Sequence, residues 1–557
     1  MWLRPAVPPQ RRNVLYRAFN RGYERVEHWY ARLIAGMVHR SGLMAIVALA
    51  IIAISGYGFA RLPTGFLPIE DQGYLITLVQ LPQGASLERT QKTLDKVYDI
   101  ARKVPGVAQV ITIAGVSPLD NSATLASSGV AYIILKDWSA RGKDESLISL
   151  FKQLNASLAA IDEADILVMP PPPIQGVGND AGFTMQVELR DGSFDLAKLQ
   201  SATDAIVANA KTQSALALVL TSFRSNVPQY AVDVDRVKTE TLGVSLDQVF
   251  SALGGYLGSS YVDQFNKFGR VFQIYVQADS QARLRLEDIN NLTVRNKDGD
   301  MVPLGTLVKI TPVQGPALIS LFNLYPSATV IGLPAQEFSS GEVITLMQEI
   351  ARRTLPPGTG FDWAAMSYQE KLVGNQIYMI FGLALLLVYL VLAGQYESWD
   401  APMTVILAVP LSFIGPVAAL SALTKSGLNN NLYVQIGLVL LMALSAKNAI
   451  LIVEFARELR AKGETILDAA VGAARGRFRP IVMTSFAFIL GVVPLVLASG
   501  AGASARKSIG ITVFTGMIAS TCLAVLFVPS FFVLVQRFEE WRKLPRVPRK
   551  TVPGNAG

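Results

Sequence analysis

Six apolar runs, each close to the roughly 20 residues that a membrane-crossing helix needs, constrain this chain more than any other feature. They lie at about 42–61, 372–394, 402–423, 433–455, 480–499 and 508–536. The last is long enough to tilt or to continue past the membrane surface. Between the first and second runs the composition is that of an ordinary soluble protein. The expected fold class is therefore a membrane α-helical bundle of six spans with one large α+β region outside the bilayer. Only 17% of the 557 residues are charged and 51% are hydrophobic, against about 25% charged in soluble domains. That balance excludes a string of soluble domains.

Charge sets the orientation. Residues 1–40, 457–479 and 537–557 together hold 20 Lys/Arg against 7 Asp/Glu, while the rest of the chain holds 30 against 35. With the N-terminus inside, all three basic stretches fall on the cytoplasmic side, as the positive-inside rule requires, and 62–371 lies outside. Basic clusters that abut apolar runs do not describe a nucleic-acid surface, so no nucleic acid is expected as a partner. No short apolar core with a small-residue cleavage site opens the chain, so the first run is expected to be an uncleaved anchor. Tyr23, Val26, Tyr30, Leu33, Ile34 and Val38 recur near helical spacing among arginines. An amphipathic linker over 1–41, lying on the membrane surface, is the expectation.

One cysteine (Cys522) and two histidines (His28 and His39) exclude a disulfide framework and a Cys- or His-based metal cluster. No nucleophile–base arrangement is visible. The glycines at 254, 255 and 258 do not open a helix after a strand, as a phosphate loop would. The chain does not read as an enzyme.

The outside region repeats one pattern. A strand at Gly73–Leu81, a helix at Ser86–Lys103 capped by Ser86 and stopped by Pro105-Gly106, and a strand at Val107–Ile113 make one strand–helix–strand unit. The order recurs at 129–136, 144–161 and 165–169, at 183–190, 197–211 and 216–222, and at 328–333, 341–354 and 360–365. Two such units make one split βαβ, ferredoxin-like domain, so two such domains are expected, the second interrupted by an insertion at 227–318. Tyr261–Phe265 with Arg270–Ala278, and Leu292–Arg295 with Met301–Leu304, make that insertion hairpin-rich.

In the fourth run, Lys447 sits two helical turns, about 12 Å, inside the last apolar residue. A lysine so deep costs a few kcal/mol and calls for a partner, unless its stem snorkels to the interface. Glu454 lies nearer the interface. The fifth run opens with Arg475, Arg477 and Arg479, ordinary topology markers, and then carries Thr484 and Ser485, which commonly bond a carbonyl of their own helix. No span holds a carboxylate near the membrane centre. A proton relay needs a titratable acid. Either another chain or segment supplies it, or there is no relay.

Several ordered motifs resemble the resistance–nodulation–division (RND) transporters, in particular their AcrB-like hydrophobe/amphiphile efflux branch. They are Gly65-Phe66-Leu67-Pro68 with Glu70-Asp71-Gln72-Gly73, Leu135-Lys136-Asp137-Trp138, Met366-Ser367-Tyr368-Gln369-Glu370, Tyr396-Glu397-Ser398-Trp399, Ser445-Ala446-Lys447-Asn448-Ala449-Ile450 and Arg479-Pro480-Ile481-Val482-Met483-Thr484-Ser485. Family members are built as two similar halves, and this chain resembles the C-terminal one. The resemblance implies a proton relay of Lys447, Arg477 and Thr484 with two aspartates of the N-terminal half. It implies a first porter subdomain at 62–175 and a second at 176–226 and 319–371. A docking subdomain at 227–318, the span 42–61, five spans at 372–536 and a cytoplasmic tail at 537–557 complete the division. It places a substrate pocket at Ile111, Val116, Pro118, Tyr132, Leu167 and Met169, with Val116 and Pro118 where many drug pumps have phenylalanine. The implied protein is an inner-membrane pump for small amphiphilic or hydrophobic compounds. It would need no cofactor beyond the proton gradient and would act as a homotrimer with a periplasmic adaptor and an outer-membrane channel.

Three other readings compete. A metal exporter of the same fold would want paired soft ligands, and Met169 and Met185 are the only methionines of 70–226. An exporter of lipids or other apolar molecules fits the same pocket. A non-transporting membrane scaffold or assembly protein would need no relay acid at all.

Overall fold

The computed structural model describes residues 14–543 apart from 121, 143, 179–181, 336, 375 and 425–426. The start of the expected linker (1–13) and most of the expected tail (544–557) lie outside the described residues. Two compact units form: one of Pro82–Ala85 and Phe223–Ile319, the other of the remaining chain.

The chain begins with α1 (Val14–His39) and α2 (Ser41–Arg61), the first span, followed by a βαββαβ layer. Its elements are β1 (Tyr74–Gln80), α3 (Leu87–Ala101), β2 (Val107–Ser117), β3 (Ala123–Leu135), α4 (Leu147–Leu158) and β4 (Asp165–Met169). The antiparallel sheet has the order β2-β3-β1-β4. Helix α3 starts at Ser86, whose Oγ accepts the Arg89 N–H at 3.3 Å and so satisfies a first-turn donor that has no partner within the helix. The turn after α3 passes through Gly106 at φ +95°, a conformation that only glycine adopts without strain. Leu94, Val97, Leu150 and Leu154 are fully buried, because α3 and α4 cover one face of the sheet.

A second layer opens with β5 (Phe183–Leu189), α5 (Leu196–Lys211) and β6 (Leu216–Thr221). The smaller unit then contributes β7 (Val227–Val234), α6 (Arg236–Thr241), α7 (Leu246–Leu253), β8 (Ser260–Lys267), β9 (Arg270–Val276), α8 (Leu286–Asn291), β10 (Thr293–Arg295), β11 (Met301–Pro303) and β12 (Val308–Gly315). Strands β7 and β12 pair along its stem, and β8–β9 and β10–β11 are hairpins. Its core gathers Val244, Val249, Leu253, Val294, Leu304 and Leu307. The hairpins match the sequence reading. The three short helices were not expected, because six to eight residues are too few for a helical period to repeat.

In the larger unit, β13 (Ser320–Phe322), β14 (Tyr325–Pro334), α9 (Ser340–Thr354) and β15 (Thr359–Ala364) complete the second sheet. Strand β14 has β5 on one side and β6 and β13 on the other, with β15 beyond β5. The order β6-β14-β5-β15 repeats that of the first layer.

Helix α10 (Ala365–Val373) leads to α11 (Gln376–Tyr396), the second span. The third span is broken into α12 (Ala401–Ile406), a tighter turn at Val409–Phe413, and α13 (Ile414–Leu423). Pro410 lies in that turn and has no N–H to continue an α-helical ladder. Then come α14 (Leu432–Ala461), α15 (Ile466–Val496) and α16 (Ala503–Lys543). Six helices among the described residues are long and apolar enough to cross a membrane. Both α15 and α16 extend beyond their apolar runs, into 466–479 and 537–543.

The apolar stripe of α1 is helical as expected, but it does not lie free on a membrane surface. Tyr30, Ile34 and Val38 are buried. The Tyr30 hydroxyl donates to the Val525 carbonyl at 2.9 Å and its ring stacks on Phe478 at 4.4 Å, while Glu27 pairs with Arg475 at 3.1 Å. The stripe is used on α15 and α16.

Candidate functional site

Helix α14 buries Ser445, Ala446, Asn448 and Ala449 but exposes Lys447. Its neighbours fix the helix: Ser445 shares a hydrogen bond with Ser520 of α16 at 2.9 Å, and the Asn448 amide donates to Ser485 of α15 at 3.5 Å. With those residues turned inward, helical geometry turns Lys447 outward. Among the described residues it has no hydrogen bond and no ion pair. A lysine at this depth on the outside of a bundle is costly in hydrocarbon, so this surface of α14 calls for an acidic partner or water.

Thr484 precedes Ser485, so the Asn448–Ser485 contact puts it at the level of Lys447. Its hydroxyl donates to the Ile481 carbonyl of its own helix at 3.1 Å, the common arrangement for membrane threonines. Arg477 is not brought to Lys447. Its guanidinium lies 4.5 Å from the centre of the Phe455 ring, and Phe455 is about 12 Å farther along α14 than Lys447 at 1.5 Å per residue. The Arg477 Nε is buried without a partner among the described residues.

The second cluster follows from strand alternation. Ile76 faces both Tyr132 and Met169 across its neighbours, Leu78 faces Val130 and Leu167, and Ile111 faces Tyr132. Directly opposed residues share a face, so Ile111, Tyr132, Leu167 and Met169 all belong to the face opposite α3 and α4. Leu167 and Met169 are buried against Ile331 and Leu333 of β14, with Leu119, Leu218 and Leu220 beside them. The two sheets therefore meet face to face here. Tyr132 is half-buried, Ile111 stands 43% exposed at the rim, and Val116 and Pro118 lie where β2 runs out into a turn.

Sequence reasoning missed the opposing wall, Leu218, Leu220, Ile331 and Leu333, although their alternation in β6 and β14 was a usable signal. It also missed Asp120. Its carboxylate accepts the Ser117 and Ser222 hydroxyls at 2.7 Å each, and so ties the turn after β2 to the end of β6. Nothing in the sequence pairs residues so far apart. Among the described residues no group of three or more His, Cys, Asp or Glu could hold a metal ion.

Comparison with known proteins shows the family. The family model of the AcrB/AcrD/AcrF family matches residues 1–536. The toluene efflux pump membrane transporter TtgB of Pseudomonas putida is 40% identical over 520 residues, which cover 93% of this chain and 49% of TtgB. The multidrug export protein AcrF of Escherichia coli is 37% identical over 93% of the chain and 50% of its own length, and the multidrug resistance protein MdtF of the same species is 37% identical over 95% and 51%. The chain spans about half the length of the curated relatives it matches. It is a multi-pass inner-membrane protein with a large periplasmic region, and it belongs to the AcrB/AcrD/AcrF family of RND transporters.

Proposed function

We propose that the chain is one half, the C-terminal half, of a proton-driven efflux transporter for amphiphilic or hydrophobic compounds. The observation that carries this reading is Lys447, turned out of its own bundle, at membrane depth, with no partner among the described residues. A second half bearing carboxylates against this surface of α14 supplies what the lysine lacks. Ionised carboxylates attract Lys447 and protonated ones release it, so protonation becomes a change of helix position. Thr484, level with Lys447, is the second relay member. Arg477 sits at the cytoplasmic end and serves from a distance.

The two layers serve as porter subdomains, each with the βαββαβ order of a ferredoxin-like domain, and the smaller unit serves in docking. Substrate lodges between the sheets when they part, on the face of Ile111, Tyr132, Leu167 and Met169, with Val116 and Pro118 at its mouth. That lining is mostly aliphatic, which suits small apolar guests of the kind in TtgB's name. The assembly is a homotrimer working with a periplasmic adaptor and an outer-membrane channel, and the proton gradient is its energy source. Lys447→Met, made in the chain together with the N-terminal half, is expected to reduce extrusion of a fluorescent amphiphile to the level of a pump-free host while membrane insertion is retained. Undiminished extrusion in that variant would sink the relay assignment.

A further inference from the structure

Glu370 of α10 is a mostly buried carboxylate that the relay does not use. Its Oε1 accepts the Ser340 hydroxyl at 3.0 Å, and the same Ser340 Oγ accepts the Phe66 N–H at 3.3 Å. Gly341 N–H donates to the Thr64 carbonyl at 3.1 Å. A Cβ at Gly341 would stand 2.7 Å from that backbone oxygen and 3.3 Å from Glu370 Oε1, so glycine is what allows the approach. The strap at 63–66 is laced in turn to the start of α14: Gly65 N–H to the Asn430 carbonyl at 3.3 Å, Asn430 N–H to Pro63 at 2.9 Å and Leu432 N–H to Phe66 at 3.0 Å. A run of hydrogen bonds thus links four pieces beside one carboxylate: α10 leading to the second span, the start of α9 in the second sheet layer, the strap from the first span and, through the strap, the head of the fourth span.

Beside it lies a cavity of about 300 Å³ lined by Thr64, Phe66, Glu370, Tyr378, Asn430 and Gln435 among others. Asn430 is 4% exposed, and its Oδ1 is buried without a partner among the described residues. The carboxylate-bearing Glu370 and Asn430, with its buried amide oxygen, thus line one cavity. Lys371, next to Glu370 in sequence, also lines the cavity, and its ammonium donates to Gln348 of α9 at 3.1 Å. On α9 the nearest acid, Glu342, is held in its own capping box with Ser339. The strap and the start of α14 present only neutral groups there, Thr64, Phe66, Asn430 and Gln435, and α11 presents the Tyr378 phenol.

We infer that Glu370 is a proton-binding site of its own at the membrane–periplasm junction, reached through this cavity, and that its charge sets how tightly the junction closes. Burial pushes the carboxyl up to about 7, against the opposing pull of the Ser340 hydrogen bond and the Lys371 charge. The sign follows from linkage. Below the ordinary carboxylate value the group is neutral whether the junction is open or closed. As pH rises from about 4.5 to about 7 the closed junction retains a proton that the open one has released. Closure therefore weakens across that window and weakens no further above it. The inference does not rest on the relay at Lys447, which is a different residue on another helix.

Hydrogen exchange of the full chain in lipid nanodiscs tests it. After correction for intrinsic rates, the Phe66 and Gly341 amides should exchange at least about tenfold faster at about pH 8 than at about pH 5, with the β1 amides as a flat control. Glu370→Gln should abolish that dependence and leave both amides protected throughout. A flat wild-type profile, or a Gln variant that keeps the wild-type dependence, overturns the proposal. Should the Gln variant fail to fold, infrared titration of the wild-type chain with labelled glutamate decides. A carboxyl that titrates near 7 supports the site, and none titrating above about 6 removes it.

Discussion

Two ionisable side chains, Lys447 on the fourth span and Glu370 above the second, have opposite surroundings. Glu370 is met from within the chain by Ser340, whose hydroxyl also holds the Phe66 amide. Lys447 is turned away from every such group, although the residues on either side of it, Ala446 and Asn448, are buried. The spans also differ in how far they are packed. The third, fourth and sixth are half-buried or more within their apolar windows, while the first and second are only 11% buried. Lys447 belongs to one of the better-packed spans but stands on its outward surface. The difference separates a carboxylate met from within this polypeptide from a lysine that meets no partner among the described residues.

Three substitutions sharpen that contrast. The largest effect is expected at an ion pair contained wholly within the chain. Asp71 and Arg141 meet at 2.6 Å, with the arginine side chain only 5% exposed and stacked beside Trp138. Asp71→Asn keeps the shape but leaves a buried guanidinium unpaired, a loss of about 3–5 kcal/mol, which denaturant unfolding in detergent would register. A loss under about 1 kcal/mol would mean that water already screens the pair.

Glu370 comes next. The rise of its carboxyl to about 7 corresponds to about 3 kcal/mol of closure lost as pH climbs through that window. Glu370→Gln should remove this dependence from the thermal stability of the layer that contains α9, measured at about pH 5 and about pH 8. The smallest effect is expected from Lys447→Met in the chain by itself. With no partner to lose, and a charge removed from membrane depth, unfolding should be unchanged or slightly harder. A destabilisation above about 1 kcal/mol would show that the lysine is used within this chain.

Much of the fold was legible because its signals are local. Ser86, read as a cap, is the side-chain N-cap of α3, and strand alternation in 74–80, 128–135 and 165–169 fixes which residues share a face. The short helices of the smaller unit were invisible because one or two turns carry no period. Helix α10 was not foreseen as an element of its own: the second run was placed from 372, and so took in only the last two residues of α10.

The site was legible unevenly. Lys447 stands out because charge inside an apolar run is rare for an energetic reason. Asp120 and Glu370 do not, since their roles come from partners at Ser222, Ser340 and Phe66 that only folding brings near. The same holds for the inner face of the sheets: Met169 was read from resemblance, but Ile331 and Leu333, against which it packs, were not.

The central claim is that the relay is shared with a second half. The most direct test expresses this chain in an efflux-deficient host, alone and together with a polypeptide supplying the N-terminal half, and follows accumulation of a fluorescent amphiphile. The account predicts extrusion only when both are present. Extrusion by this chain alone would contradict it, because Lys447 would then be working without the carboxylates that its position demands.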